Sequence, residues 1–335
     1  MKSPWPKVAG AVALLTVIIS VLLTAFAWPS VRSSVHDVPI AVAGPAAATA
    51  QVTTVLEQHG FTITPVGDTA AAEKLIRERE VYGAIDLSTG TPQVLTASAA
   101  SATVAQGLQS IATALGQLQS GQLQSGATGI AVRDVVALPA DDPRGAGLAA
   151  GALPLVMGGL LAAVLLTNLI KGAVRRVAGA VAFAITGGLA MAAILQFWFG
   201  SLDGNYLAAA GAIALTVGAT SLTLLGLESL FGYPGFGAGA ALMMLVGNPF
   251  SGAATAPEML PGWSGTLGQL LPPGAGGQLL RSASFFDGEG ATHSLIVLLS
   301  WLTAGLLLCA AGALRARRRP ALSPEPTPIP QPATV

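Results

Sequence analysis

The chain of 335 residues is 52% hydrophobic and only 10% charged, well under the charged share of about 25% in soluble proteins. That composition excludes a soluble globular protein and predicts a polytopic α-helical membrane protein. Basic and acidic residues number sixteen each, but the basic ones are spread very unevenly, so their placement and not the net charge is informative; no nucleic-acid partner is expected, and the lone Cys309 leaves no disulfide framework or cysteine metal site.

In chain order, the first apolar run is "VAGAVALLTVIISVLLTAFAW", Val8 to Trp28, behind Lys2 and Lys7. A bilayer core of about 30 Å needs about 20 helical residues, and this run supplies them. "AFA" at Ala25 to Ala27 also matches a signal-peptide cleavage site. The run is longer than a signal-peptide core of about 7 to 15 residues, so residues 1–28 are expected to hold a short cytoplasmic end and a retained span; cleavage would leave the remaining topology unchanged.

Residues 29–147 have the composition of a small soluble domain and its linker. "VPIAVAG" and "FTITPVG" read as strands, "VYGAIDLS" and "TPQVLTAS" as a hairpin about Thr89 and Gly90. "AATAQVTTVLEQHG" reads as a helix stopping at Gly60, and "DTAAAEKLIRERE" as another capped by Asp68 or Thr69. Four strands with interleaved helices predict a small α/β layer. A further helix carrying Val104, Leu108, Ile111 and Leu115 is expected to fade through the tandem "GQLQS" into a flexible linker. His36 and His59 stand apart without metal-ligand spacing, and Asp86 reads as a strand-end carboxylate facing solvent.

Residues 148–314 hold five further candidate spans, which begin near Leu148, Ala178, Leu207, Phe231 and Ser294. The fifth of the six overall, "FGYPGFGAGAALMMLVGNPF", is Gly-rich and barely long enough. Abundant Gly and Ala predict close helix packing, and Asn168, Gln196 and Asn248 are expected to bond between helices. Glu228 is the only acidic residue in the spans and is expected near the cytoplasmic interface, paired with Arg175 or Arg176. Between the last two spans, Pro249, Pro257, Pro261, Pro272 and Pro273 forbid a continuous helix. Residues 248–290 therefore read as a re-entrant or interfacial hairpin, its short helices "WSGTLGQLL" and "GGQLLRSASFF" separated by "PPGAG", with Trp263, Phe285 and Phe286 suited to the headgroup region. Residues 315–335 form a basic, Pro-rich cytoplasmic tail. The basic clusters "MKSPWPK", "KGAVRR" and "RARRR" put both termini in the cytoplasm and the α/β domain outside, in a multi-pass plasma-membrane protein.

The layout of one span, an external domain and five further spans, together with "NPFSG", "APEMLPGW" and "LPPGAGGQLLRS", resembles the ABC-2-type permease superfamily, in particular its phage-infection-protein-like variants with a large outer domain. The resemblance implies a bacterial exporter subunit that is a homodimer, meets membrane lipids, and draws on ATP through a separate ATPase, because the chain has no P-loop. It assigns Asn248, Pro257, Glu258, Pro261, Pro272, Pro273 and Arg281 to an outer hairpin closing the route, and Lys171, Arg175 and Arg176 to ATPase coupling. The short cytoplasmic loop, and an N-terminus without a long amphipathic helix, depart from that pattern. Two alternatives stand beside it. A proton-driven exporter needs acids at mid-membrane depth, for which Glu228 is the only candidate. An envelope scaffold or receptor would use the outer domain for binding and the helices only as an anchor.

Overall fold

A computed structural model of the chain describes residues 3–122 and 130–318. The end of the "GQLQS" linker and the Pro-rich tail from 319 onward lie outside the described residues. The first helix, α1 (Trp5–Arg32), is apolar along its length, yet none of its most apolar stretch is buried. It meets the rest of the fold only near its last turns, where Pro29 is buried and Trp28 packs on Phe250 with ring centroids 5.9 Å apart.

A sheet domain follows, composed of β1 (Val38–Ala43), α2 (Ala46–Gln58), β2 (Phe61–Val66), α3 (Thr69–Arg77), β3 (Gly83–Asp86), β4 (Gln93–Thr96), α4 (Ala102–Gln122) and β5 (Ala131–Asp134). The strand order is β2-β1-β3-β4-β5, with β4 antiparallel to β3 and the other pairs parallel. Side chains alternate across a strand, and β1 shows what that does. Val38, Ile40 and Val42 enter one core with Leu56 of α2 and Leu108 of α4, while Ala41 and Ala43 enter a second with Ile76 of α3. The sheet is therefore covered on both faces. Asp68 caps α3 by accepting from Ala71 N at 2.8 Å.

Two expectations are corrected here. The fifth strand, "AVRD", escapes a pattern reading because all four of its residues are exposed and two are charged. Asp86 does not face solvent: it is fully buried and accepts from Thr69 Oγ1, from Ser88 N and Oγ, and from Gln93 Nε2.

The membrane bundle is built around one helix. It comprises α5 (Ala146–Leu169), α6 (Ala173–Ala193, prolonged by a π-helical turn to Trp198), α7 (Tyr206–Phe231), α8 (Tyr233–Ala241, prolonged likewise to Gly247), α9 (Ser264–Gln269), α10 (Pro272–Phe285) and α11 (Thr292–Arg318). Helices α1, α5, α6, α7 and α11 are each long and apolar enough to cross a membrane, which makes this a multi-pass membrane protein. α7 is the central one: 72% of its apolar window is buried, against 39% or less for the others.

Glycine makes that centrality possible. A Cβ on Gly159 of α5 would fall 2.7 Å from Thr220, one on Gly188 of α6 2.7 Å from Ala210 O, and one on Gly305 of α11 2.6 Å from the Leu222 backbone. The buried hydroxyls of Thr216, Thr220 and Ser221 bond to carbonyls of their own helix, Ala212, Thr216 and Gly218, so apolar packing around α7 leaves none of them stranded.

The expected fifth span is where the helix pattern breaks. Gly232, at φ 69°, ends α7; α8 then supplies nine residues and its π-helical continuation six before Pro249. At ~1.5 Å per residue that piece spans about 22 Å, short of the roughly 30 Å hydrocarbon core. Yet α7 and α11 run parallel: Thr223 Oγ1 donates to Trp301 O, Ser229 Oγ to Leu308 O, and Arg315 to Leu230 O. The chain must therefore return the height of the bundle between residues 232 and 291. It does so in pieces, through α8, short turns at Pro249–Ser251 and Pro257–Met259, α9 and α10.

Candidate functional site

The returning segment is compressed backbone against backbone. A Cβ on Gly265 would overlap Pro257 O, one on Gly268 would overlap Phe250 O, and one on Gly274 would overlap Gly268 O. Its glycines thus mark close approach rather than freedom. "PPGAG" is not the break between the two short helices. Pro272 and Pro273 instead open α10, where a proline's fixed φ suits the first turn and its missing N–H costs nothing. Both prolines are buried, as are most residues of α10. Gly276 allows α10 to approach Thr216 on α7.

The opposite flank of this segment is clasped by the sheet domain. Arg281, on α10, donates to Ala99 O at 3.2 Å and to Ala253 O at 2.7 Å. Arg79 leaves α3 in the left-handed region, at φ 63°. It reaches Gln278 O at 3.0 Å, Gln278 Oε1 at 2.6 Å and Ser282 Oγ at 2.6 Å, with its guanidinium 5.0 Å from the Phe286 ring centroid. Tyr82 donates to Glu258 Oε2 at 2.8 Å. Ser34 N and Ser33 Oγ both donate to Met259 O, and Thr103 Oγ1 donates to Ala254 O. The apolar cores merge as well, because Ala256 and Met259 join the cluster of Val38 and Ile40, and Phe286 that of Ala41 and Ile76. Phe286 is therefore core rather than an interfacial anchor, whereas Trp263 remains exposed.

The electrostatics of this junction are uneven. Two guanidiniums, Arg79 and Arg281, share it with the single carboxylate of Glu258. Arg281 is buried there. Burial lowers the Arg79 pKa, against the pull of Tyr82 and Glu258. Burial, the Glu258 charge and the hydrogen bond to Glu258 hold the Tyr82 hydroxyl well above its ordinary value. Tyr82 is consequently a neutral donor at any physiological pH. The carboxylate sits within a locally cationic knot that joins the sheet domain to α10.

At the far end of the bundle, Arg176 pairs with Glu228 at 3.0 Å and also donates to Thr167 O and Ile170 O. The expected loop of Lys171 to Arg176 is shorter in the structure, since Ala173 already begins α6. Lys171 and Arg175 are exposed beside it. A cavity of about 260 Å³ opens there, lined by Arg176, Glu228, Ser229 and Cys309. Asn168 accepts from Tyr233 OH at 3.0 Å, linking α5 to α8, and Gln196 donates to Gly204 O.

Of the residues singled out from sequence, Glu258 and Arg281 enter the junction itself. Pro257 opens the short turn that carries Glu258, Pro261 follows it, and Asn248 closes the π-helical turn. Sequence reasoning missed Arg79, Tyr82, Gln278 and Ser282. Arg79 lies within "RERE", which reads as a solvated charge run, and only its hydrogen bonds to Gln278 and Ser282 of α10 distinguish it from Arg77. No family model, characterised protein or solved structure matches the chain.

Proposed function

We propose that this chain is the permease subunit of an ABC-2-type exporter in a bacterial plasma membrane, moving a lipidic or other amphipathic substrate with a separate ATPase. In this reading both termini are cytoplasmic and the sheet domain is outside. The broken return through α8 and α10 counts as a sixth crossing, and the segment 248–290 closes the route on the outer side. The observation that carries it is the double clasp on that segment: α10 packs on the central helix through Gly276 and on the sheet domain through Arg281 and Arg79. An element gripped on both sides can pass motion of the bundle to the outer domain, whereas a simple anchor has no use for it. The exposed Lys171 and Arg175, with Arg176 locked to Glu228, give the ATPase a charged landing at the other end. The unpacked flank of α1 suits a homodimer.

Because Glu228 is held by an arginine rather than standing alone, the ion pair favours this reading over a proton-driven one. The test is gentle affinity purification of the tagged chain from its own membranes, with mass spectrometry of what accompanies it. A stoichiometric P-loop ATPase, lost on charge reversal at Lys171 and Arg175, is the expected result. Recovery of envelope proteins bound through the sheet domain, with no ATPase, would replace the permease reading with the scaffold.

A further inference from the structure

A furrow of about 470 Å³ runs down the flank of the bundle between α7, α10 and α11, within the size range of small-molecule sites, about 300 to 1,000 Å³. Its floor and walls are apolar, with Ala212 and Leu215 from α7, Leu279 from α10 and Leu295 from α11. Its polar groups, Asn205 and Asp287, stand at the end nearer the sheet domain, where α7 begins and α10 has just ended. From Asn205 to Leu215 the furrow descends about 15 Å along α7 at ~1.5 Å per residue, which is about half of a hydrocarbon core of roughly 30 Å. One end thus sits at headgroup level and the other near mid-bilayer, the depth of a single leaflet.

The polar end also has a readable chemistry. Asn205 Oδ1 is occupied, accepting from Leu207 N and Ala208 N as the cap of α7, which leaves its amide N–H groups to donate outward. Asp287 is an exposed carboxylate with no hydrogen bond or ion pair among the described residues. Beside it Glu289 is also exposed, while Arg79, whose side chain lies against Gly290, is turned inward onto Gln278 and Ser282. A carboxylate acceptor beside an amide donor complements a head group that carries an ammonium and a phosphate.

We propose that this furrow binds one chain of an amine-bearing phospholipid, with its ammonium paired to Asp287 and a phosphate or ester oxygen accepting from Asn205. The proposal goes beyond the permease reading and does not depend on it, because a bound lipid can be counted whether or not the chain transports anything.

The experiment uses the full chain, purified in mild detergent and exchanged with vesicles of equal phosphatidylethanolamine and phosphatidylglycerol, followed by native mass spectrometry of retained lipid. The wild type is expected to retain the ethanolamine lipid over the glycerol lipid by about threefold, the scale of one partly exposed charge pair. Asp287→Asn should bring that ratio to about one, and Asp287→Glu should preserve it. A Cβ on Gly211 would meet open space, so Gly211→Phe fills the furrow without a backbone clash and should remove retained lipid of both kinds while leaving the melting temperature in place. Equal retention of the two lipids by the wild type, a ratio unmoved by Asp287→Asn, or no retained lipid would each overturn the proposal. So would conversion of a dimer to a monomer by Gly211→Phe with lipid unchanged, which would give the furrow to a second copy of the chain.

Discussion

A carboxylate taken out of water is stable only when its oxygens are served, and the fully buried Asp86 and the half-buried Glu258 meet that need differently. Asp86 gathers four donors from Thr69, Ser88 and Gln93. Burial on its own would raise its pKa, but the hydrogen bonds outweigh it and hold the carboxyl below its ordinary value. Stability from that shift is therefore present above the unfolded carboxyl pKa of about 3.9 and lost as pH falls through the lower folded value. Asp86→Asn should cost about 2 kcal/mol at neutral pH, since one amide cannot accept all four bonds, and should flatten the acid limb below about pH 4; chemical unfolding across pH reads both. Glu258 instead relies on Tyr82 and on the nearby Arg79 guanidinium. Tyr82→Phe should cost about 1.5 to 3 kcal/mol, the range for a hydrogen bond to a charged group. Glu258→Gln keeps an acceptor for Tyr82 but leaves Arg79 without its nearby counter-charge, so it should loosen the 252–271 segment to limited proteolysis more than Tyr82→Phe does.

At the scale of elements, glycine is the residue that separates a loose reading of this chain from its structure. The segment from Asn248 onward reads as punctuation, full of Pro and Gly, and its helical pieces could be marked only approximately. The structure puts those glycines into contacts that no side chain could share. Gly268→Ala should therefore cost more than about 3 kcal/mol, because its Cβ would overlap Phe250 O. Gly277→Ala, one turn into α10 with nothing within 4 Å of its Cβ, should instead be neutral or stabilising by up to about 1 kcal/mol. Thermal scans at one fixed rate would order the two variants, and equal losses would refute the close packing. The same distinction explains what could be seen beforehand. The long apolar helices and β1 to β4 were legible because their periodicity is a property of the segment itself. The fully exposed β5, the start of α10 at Pro272 and the roles of Arg79 and Tyr82 were not, because each is decided by a neighbour far along the chain.

For the whole molecule, the decisive question is whether the return from α7 to α11 crosses the bilayer. Among the described residues five helices can span, and an odd number of crossings would place Lys7 and Arg317 on opposite sides. The parallel packing of α7 and α11, with Arg315 at the end of α7, requires the chain to climb back between residues 232 and 291, and its α8 and α10 pieces together exceed the height that either lacks alone. If that climb is a crossing, both ends of the described chain share one side and the sheet domain occupies the other. Single cysteines at Lys7, Glu57 and Arg317, all exposed positions, put this to a direct measurement, since the native Cys309 is buried and adds little background. A membrane-impermeant maleimide should label Glu57→Cys in intact cells, and should label Lys7→Cys and Arg317→Cys only after permeabilisation. Labelling of Arg317→Cys together with Glu57→Cys would mean that the broken segment re-enters and leaves on the same face. That outcome would remove the shared side on which the proposed ATPase would have to reach both the α5–α6 turn and the end of α11.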